Sequence, residues 1–250
     1  MTKTVLITGA GSGFGKVAAT MLAERGHTVI ATTETDEQAA TLRAEHPELE
    51  VAKLDITDAD DVATVDQWDL DVLIANAALG QIGPLATIPL ERLRRVFEVN
   101  VFGTFAICQR VAQAMRAKRS GRILIVSSIA GVRAGKGSGP YSMTKHAIQA
   151  MGGVMRNELA DYGVDVATIN PGPYATGFND RMANDLGDWY DPETASPEDA
   201  AVVEALRERI TVGQLDPVEV AERYVELVEA EATEPVNFVP PDIIDRLARR

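Results

Sequence analysis

The sequence predicts a doubly wound α/β protein, in which helices cover both faces of a parallel sheet to give three layers. Short apolar runs alternate with helical stretches along most of the chain, which is the pattern of successive βαβ units. The run at 123–126 is apolar at every position, as expected for a strand that is covered on both faces. A chain of 250 residues is long enough for one such domain, and we expect a single domain over residues 1–250.

Glycines, β-branched runs and helical periodicity mark the boundaries of the predicted elements. Gly26 ends the first helix, and Pro171-Gly-Pro173 separates the alternating region from a polar, acidic segment with scattered aromatic residues. Strands are predicted at 5–8, 28–32, 51–54, 72–75, 123–126, 164–169 and 236–239. Helices are predicted at 17–25, 37–44, 89–119 (as one or two helices), 141–162, 200–210 and 217–231, and a substrate lid at about 174–212.

The composition and charge exclude several classes of protein. Apolar residues make up 46% and charged residues 24%, which is ordinary for a folded domain and excludes a disordered chain or a collagen. The net charge of -13 argues against nucleic-acid and anionic-membrane partners. Most of the acid lies in residues 180–250, which hold 18 Asp and Glu against 7 Arg. This acid is explained either by solvated helix faces or by an acidic mouth that disfavours anionic substrates.

The cysteine and histidine content gives no sign of a disulfide or a metal site. Cys108 is the one cysteine, so an intrachain disulfide is impossible, and its apolar helical surroundings predict a buried side chain. His27, His46 and His146 are dispersed without metal-ligand spacing, and no metal is expected. Neither a leader pattern nor a membrane-length apolar run is recognisable, which predicts a cytoplasmic protein without a membrane partner.

A glycine-rich loop follows the first strand and leads directly into a helix. The loop is Thr8-Gly-Ala-Gly-Ser-Gly-Phe-Gly15. Gly9 permits a tight turn, Gly13 lets the backbone approach a pyrophosphate, and Gly15 permits close packing of the helix on the strand. The free N–H groups and the positive dipole end of that helix favour phosphate. The loop therefore predicts a dinucleotide site.

A second motif places a phenol beside an ammonium. Tyr141 and Lys145 are four residues apart on one helix and share a face. A nearby ammonium stabilises the phenolate and should lower the pKa of Tyr141 from about 10. Such a residue can transfer protons near neutral pH. Ser128, at the end of an apolar strand, precedes Tyr141 by 13 positions.

With the Thr-Gly-x-x-x-Gly-x-Gly loop and the Tyr-x-x-x-Lys motif in this order, the chain resembles the short-chain dehydrogenases and reductases. The resemblance implies a Rossmann-like fold and hydride transfer between a nicotinamide cofactor and a substrate carbonyl. It assigns proton transfer to Tyr141 and substrate-oxygen binding to Ser128. It assigns to Asn100 a water that links Lys145 to solvent, although an Asn in an apolar stretch can also be purely structural. The implied cofactor-binding residues are Gly9, Ser12, Gly13, Phe14, Gly15, Thr33, Asp55, Ile56, Asn76, Tyr141, Lys145, Pro171, Gly172 and Thr176.

The resemblance further implies an NAD(P)-dependent enzyme that interconverts a secondary alcohol and a ketone or aldehyde. Glu34 follows Thr33 at the end of the second strand, where its carboxylate would repel a 2′-phosphate, so NAD is expected over NADP. Two alternatives are a non-catalytic NAD(P)-binding regulator and a non-redox lyase on the same fold.

The remaining expectations concern the substrate and the assembly. Neutral or cationic substrates are expected over phosphorylated or carboxylated ones. Four apolar residues of the lid either line a substrate pocket or pack the lid on the body; they are Phe178, Met182, Trp189 and Tyr190. A homo-oligomer, dimer or tetramer, is expected. The family's glycine-rich ending is missing from the C-terminus, which puts the tetramer in doubt. Ala78 replaces a glycine of the family pattern in the loop after Asn76. The segment from Asp55 to Asn76 is short for the family, so the helix between them is expected to be a stub.

Overall fold

A parallel sheet forms the centre of the computed structural model, which describes residues 1–248. Its strands are β1 (Thr4–Ile7), β2 (Thr28–Thr33), β3 (Glu50–Lys53), β4 (Val72–Ala75), β5 (Gly121–Val126), β6 (Val164–Pro171) and β7 (Val236–Val239). Their order across the sheet is β3-β2-β1-β4-β5-β6-β7. In β1, Ile7 pairs with Ala31 on one side and with Ile74 on the other. The strand order reverses between β1 and β4, which opens a crevice beyond the carboxyl ends of these strands.

Helices cover both faces of this sheet, as the sequence predicts. They are α1 (Gly13–Glu24), α2 (Asp36–Glu45), α3 (Ala59–Ala63), α4 (Leu90–Phe97), α5 (Thr104–Lys118), α6 (Gly139–Leu159), α7 (Phe178–Asp185), α8 (Pro197–Thr211), α9 (Val218–Glu229) and α10 (Ile243–Ala248). The predicted Rossmann-like, three-layer fold in a single domain is confirmed.

Two apolar layers hold the helices to the sheet. Successive side chains of a strand point to opposite faces, so Ile7 packs towards α1 and α9 while Leu6 packs towards α5 and α6. On the second face, Cys108 of α5 is fully buried, as predicted. This arrangement leaves the carboxyl edge of the sheet free for polar loops.

Some boundaries differ from the predictions for local reasons. Helix α1 begins at Gly13 rather than at 17, because the glycine loop enters the helix directly. The predicted stretch 89–119 divides into α4 and α5 around a π-helical turn at Glu98–Gly103. Helix α3 is a stub of five residues, as expected.

The segment 174–212 contains α7 and α8 and covers the carboxyl edge of the sheet. Its apolar side chains, including Met182 and Leu206, form a separate cluster with Ile82 of the body. Arg92 of α4 also binds it through Asp185, at 2.6 Å. Among the described residues, every helix is too short or too polar to span a membrane.

Candidate active site

A cleft of about 450 Å³ lies beyond the carboxyl ends of β1, β4 and β5. The glycine loop forms one wall, the loop after β4 a second, and Ser128, Tyr141 and Lys145 the floor. Residues of 171–181 form a further wall, which adjoins the glycine loop where Thr176 lies beside Gly13. The cleft therefore brings together the two motifs that the sequence predicts as functional.

The glycine loop can approach a ligand because its glycines lack side chains. Gly9 and Gly13 have φ values of +66° and +56°, which favour glycine. A Cβ on Gly13 would lie 3.1 Å from Cβ of Thr176, and one on Gly15 would lie 2.7 Å from the carbonyl oxygen of Gly9. Gly15 thus serves packing under the loop, whereas Gly13 lines the cleft beside Thr176.

Asn76 ties the loop after β4 to the glycine loop. Its Nδ2 donates to the carbonyl oxygens of Thr8 and Gly9, at 2.9 and 3.1 Å. The Thr8 hydroxyl accepts from the backbone N–H groups of Asn76 and Ala77, both at 3.0 Å. The Tyr224 hydroxyl of α9 donates to Asn76 Oδ1, at 3.1 Å. Sequence reasoning missed Tyr224, because no local pattern links it to a residue so distant in the chain.

Tyr141 and Ser128, which the family resemblance assigns as the reactive pair, lie at the floor of the cleft. Ser128 follows β5 and caps a short helical turn, accepting from the N–H of Ala130 at 3.1 Å. Burial raises the pKa of the Tyr141 phenol above its ordinary value, and the nearby Ser128 hydroxyl offsets only part of this rise. The predicted lowering of the phenol pKa is therefore wrong for this site. The phenol is protonated at neutral pH.

The surroundings of Lys145 explain why its side chain does not offset the rise in the Tyr141 pKa. Its Nζ donates to the carbonyl oxygen of Val126, at 2.9 Å, and lies 5.6 Å from the centre of the Tyr141 ring. Burial lowers the pKa of Lys145 to about 7. The amine is thus only partly charged near neutrality, and it can exchange a proton there.

Asn100 lies in the π-helical turn, almost fully buried at 1% exposure. Its Oδ1 accepts from the N–H of Leu79 at 2.7 Å, and its Nδ2 donates to the carbonyl oxygen of Leu79 at 2.8 Å. The same Nδ2 donates to Thr144 Oγ1 at 3.1 Å, and Thr144 in turn donates to the carbonyl oxygen of Tyr141 at 2.7 Å. These bonds connect Asn100 to the helix that holds Tyr141. Both amide hydrogens are used, so any water would bind the remaining lone pair of Oδ1.

The structure places most of the predicted cofactor residues on the cleft wall. These are Gly9, Ser12, Gly13, Phe14, Asp55, Ile56, Asn76, Tyr141, Lys145, Pro171, Gly172 and Thr176. Thr33 lies behind Gly11, with its hydroxyl donating to the carbonyl oxygen of Thr35 at 3.1 Å. Glu34, next in sequence, lines the cleft together with Gln38, whose Oε1 accepts from the Glu34 N–H at 3.2 Å. Gln38 was missed, although it follows Glu34 by one helical turn.

The apolar residues of 174–212 divide between the two alternatives. Phe178 lines the cleft, with its ring centre 5.7 Å from that of Tyr141. Met182 and Trp189 instead pack on glycines of the body: a Cβ on Gly80 would lie 2.7 Å from the Met182 side chain, and one on Gly83 would lie 2.5 Å from Trp189. Tyr190 stacks edgewise on Trp189, 5.9 Å between ring centres. Phe178 is therefore the member that faces the reactive pair.

Chemistry elsewhere in the described residues is limited. Burial raises the pKa of the Cys108 thiol to about 12, so this thiol is inert at neutral pH. Among residues 1–248, His, Cys, Asp and Glu form no group of three that could hold a metal ion.

Comparison with known proteins identifies related sequences. A family model described as short chain dehydrogenase matches residues 3–187. The uncharacterized oxidoreductase YusZ of Bacillus subtilis is 35% identical over 187 residues, which cover 70% of this chain and 66% of that protein. The NADPH-dependent 3-dehydrocapnine reductase of Ornithobacterium rhinotracheale is 34% identical over 184 residues, which cover 68% of this chain and 65% of that protein. The chain thus spans slightly less than two thirds of the length of these relatives.

Solved structures share the whole fold. The crystal structure of a short-chain dehydrogenase from Streptomyces avermitilis superimposes with a TM-score of 0.85 at 27% identity. The match covers 100% of this chain and 92% of that one. The similarity therefore includes the segment 174–212 as well as the sheet.

Proposed function

Because the chain belongs to the short-chain dehydrogenases and reductases, we propose that it interconverts a secondary alcohol and a ketone or aldehyde with a nicotinamide dinucleotide. The observation that supports this most directly is that Tyr141, Ser128 and Lys145 line one cleft with the glycine loop, with Lys145 Nζ 5.6 Å from the centre of the Tyr141 ring. This combination supplies a proton donor and an oxygen-binding hydroxyl for the substrate, and a phosphate cradle for the cofactor, in one cleft.

The residues present fit a dinucleotide. A Cβ on Gly9 would press on Ala77 and one on Gly13 on Thr176, so only glycines let the loop fold beside these residues and present its backbone to a pyrophosphate. The N-terminus of α1 would hold the phosphates, Asp55 and Ile56 the adenine, and Thr176 the nicotinamide amide. When bound, the nicotinamide supplies or accepts the hydride.

Proton transfer is the task of the protein itself. In the direction of reduction, the Tyr141 hydroxyl donates its proton to the substrate oxygen, while the Ser128 hydroxyl hydrogen-bonds the same oxygen. Both bonds strengthen as negative charge develops on that oxygen, which stabilises the transition state. Lys145 can return a proton to the phenolate, since its pKa of about 7 lets it exchange protons near neutrality. The raised pKa of Tyr141 keeps the donor protonated, which suits reduction of a carbonyl.

A substitution at Tyr141 tests the catalytic proposal. Secondary alcohols and ketones are first screened by the absorbance of NADH. With any working substrate, Tyr141→Phe should abolish turnover while NADH still binds, whereas Tyr162→Phe, far from the cleft, should change neither. Full activity of Tyr141→Phe would refute the assigned acid. NADH binding by the wild type without turnover of any substrate would favour a non-catalytic regulator.

We propose NAD as the preferred cofactor, although one relative is named as NADPH-dependent. Glu34 lines the cleft, and a carboxylate there would repel a 2′-phosphate. Glu34→Gln should therefore tighten NADPH binding and leave NADH binding nearly unchanged. Glu37→Gln, one turn away on α2, is the matched control. Tighter binding of NADPH than of NADH by the wild type would contradict the proposal.

The charge of the chain bears on the choice of substrate. The acid of residues 180–250 should favour neutral or cationic substrates, and a neutral ketone compared with a matched keto acid tests this. Preference for the keto acid would refute this proposal.

Exposed apolar side chains support a homo-oligomer. They include Phe102, just before α5, and Val154 on α6. Light scattering on the purified protein measures its state.

A further inference from the structure

Arg181 is a cation of the cleft wall that the motifs do not predict. It lies in the first half of α7 and lines the cleft with its side chain exposed. Asp185, four residues further along the helix, would be its ordinary partner. However, Asp185 binds Arg92 at 2.6 Å, and within the described part of the chain no carboxylate forms an ion pair with Arg181. The guanidinium is therefore available to a ligand.

The side chain of Arg181 points back along α7 towards Gly177, at the start of the helix. A Cβ on Gly177 would lie 3.1 Å from Nη1 of Arg181, which places the guanidinium against the start of the helix. Gly177 adjoins Thr176, and Thr176 in turn contacts Gly13 at the N-terminus of α1. The guanidinium thus lies on the wall that adjoins the phosphate cradle.

The charged residues of the cleft show why Arg181 is a candidate to bind an anion. The charged residues along the described wall are Glu34, Asp55, Lys145 and Arg181. Lys145 lies on the floor and donates to Val126, so Arg181 is the exposed cation of that set. A diphosphate entering a chain with a net charge of -13 needs a compensating charge near it. Guanidinium groups suit phosphate because they donate two hydrogen bonds in one plane.

We propose that Arg181 binds the diphosphate of the dinucleotide from the side of α7, and that the ion pair of Arg92 with Asp185 keeps Arg181 free to do so. This inference rests on the proposed function, since it assigns a further residue to that cofactor site. Arg92 is then a positioning residue, which acts by occupying the carboxylate that would otherwise pair with Arg181.

Binding measurements with three probes test the proposal without any substrate. The dissociation constants of NADH, ADP-ribose and adenosine are measured by calorimetry for the wild type, Arg181→Gln, Arg181→Lys and Arg95→Gln. Arg181→Gln should weaken NADH and ADP-ribose about tenfold, the value of one charge-assisted hydrogen-bonded contact. Adenosine, which lacks phosphate, should bind unchanged. Arg181→Lys should recover part of the loss, and Arg95→Gln, an exposed arginine of α4, should have no effect.

A second set of variants tests the role of Arg92. Arg92→Gln releases Asp185, which should then pair with Arg181 and weaken ADP-ribose binding severalfold. The double variant Arg92→Gln with Asp185→Asn should restore binding. If the loss came only from loosening of the segment 174–212, the double variant would stay weak, and this part of the proposal would fail.

The outcomes separate this inference from the proposed function. Unchanged ADP-ribose binding in Arg181→Gln overturns the role of Arg181. This holds even if the variant raises the KM of an anionic substrate, because Arg181 would then bind the substrate and not the diphosphate. Failure of the wild type to bind either NADH or ADP-ribose overturns the proposed function itself.

Discussion

The Tyr224 hydroxyl donates to Asn76 Oδ1 across 148 positions of sequence, and so fixes the orientation of the Asn76 amide. With its oxygen facing Tyr224, Asn76 turns its Nδ2 towards the carbonyl oxygens of Thr8 and Gly9. Burial holds the pKa of the Tyr224 phenol well above its usual range, so the phenol stays a donor. Helix α9 thereby stabilises the glycine loop through a single side chain.

Removing this hydroxyl should cost stability. Tyr224→Phe leaves Asn76 Oδ1 without its donor, and we expect the free energy of unfolding to fall by about 1–2 kcal/mol. Urea denaturation followed by circular dichroism measures the change. Tyr162→Phe removes a hydroxyl that accepts from Arg116 at the surface, and it should cost less than about 0.5 kcal/mol. Equal stability of the two variants would show that the Tyr224 hydroxyl contributes nothing.

Asn100 provides a second test, because its amide satisfies both backbone groups of Leu79. Asn100→Asp cannot donate to the Leu79 carbonyl oxygen or to Thr144 while ionised, and it places a charge at a buried position. We expect the unfolding free energy to fall by about 2–3 kcal/mol at neutral pH.

The stability loss in Asn100→Asp should depend on pH. Burial should raise the pKa of the new carboxyl above its unfolded value, so the loss relative to wild type should shrink as the pH falls and the carboxyl is protonated. Asn184→Asp, exposed on α7, is the control and should change little. A loss that is the same at acid and neutral pH would contradict burial of an ionised group.

Cys108 should be unreactive in the folded protein. Burial at 0% exposure raises its pKa to about 12, so both access and thiolate are lacking. At about pH 8, close to the ordinary thiol pKa, Ellman's reagent should detect no thiol in the native protein. It should detect one equivalent in concentrated guanidinium chloride. Rapid reaction of the native protein would show that α5 opens frequently.

The sequence predicted what is encoded locally. The glycine loop, the Tyr141 and Lys145 face and the strand ending at Ser128 each lie within a short stretch, and the structure brings all three to one cleft. The stub helix α3 was expected because the segment from Asp55 to Asn76 is short for the family.

What the sequence did not reveal depends on contacts between distant segments. The break at Asn100 into a π-helical turn accompanies the pairing of its side chain with Leu79, 21 positions away. The pKa of Tyr141 rises because the surrounding fold, including Phe178 against its ring, buries the phenol, which no spacing of Tyr and Lys reveals. The availability proposed for Arg181 likewise depends on a distant contact, the ion pair of Arg92 with Asp185.

Lys145 should make the stability of the protein depend on pH near neutrality. Its folded pKa is lowered to about 7 by burial, below the ordinary value of 10.5, so between these two values the unfolded chain binds a proton that the folded chain does not. Stability contributed by this residue therefore rises with pH over that window, by up to about 1.4 kcal/mol per pH unit.

The variant Lys145→Met lacks the group that titrates in this window. Its unfolding free energy relative to wild type should be highest below about pH 7 and should decrease as the pH is raised towards 9. Lys136→Met, at an exposed position, should show no pH-dependent difference. Parallel stability curves for Lys145→Met and wild type over this window would mean that Lys145 keeps its ordinary pKa in the fold, and the proton exchange assigned to it near neutrality would have to be abandoned.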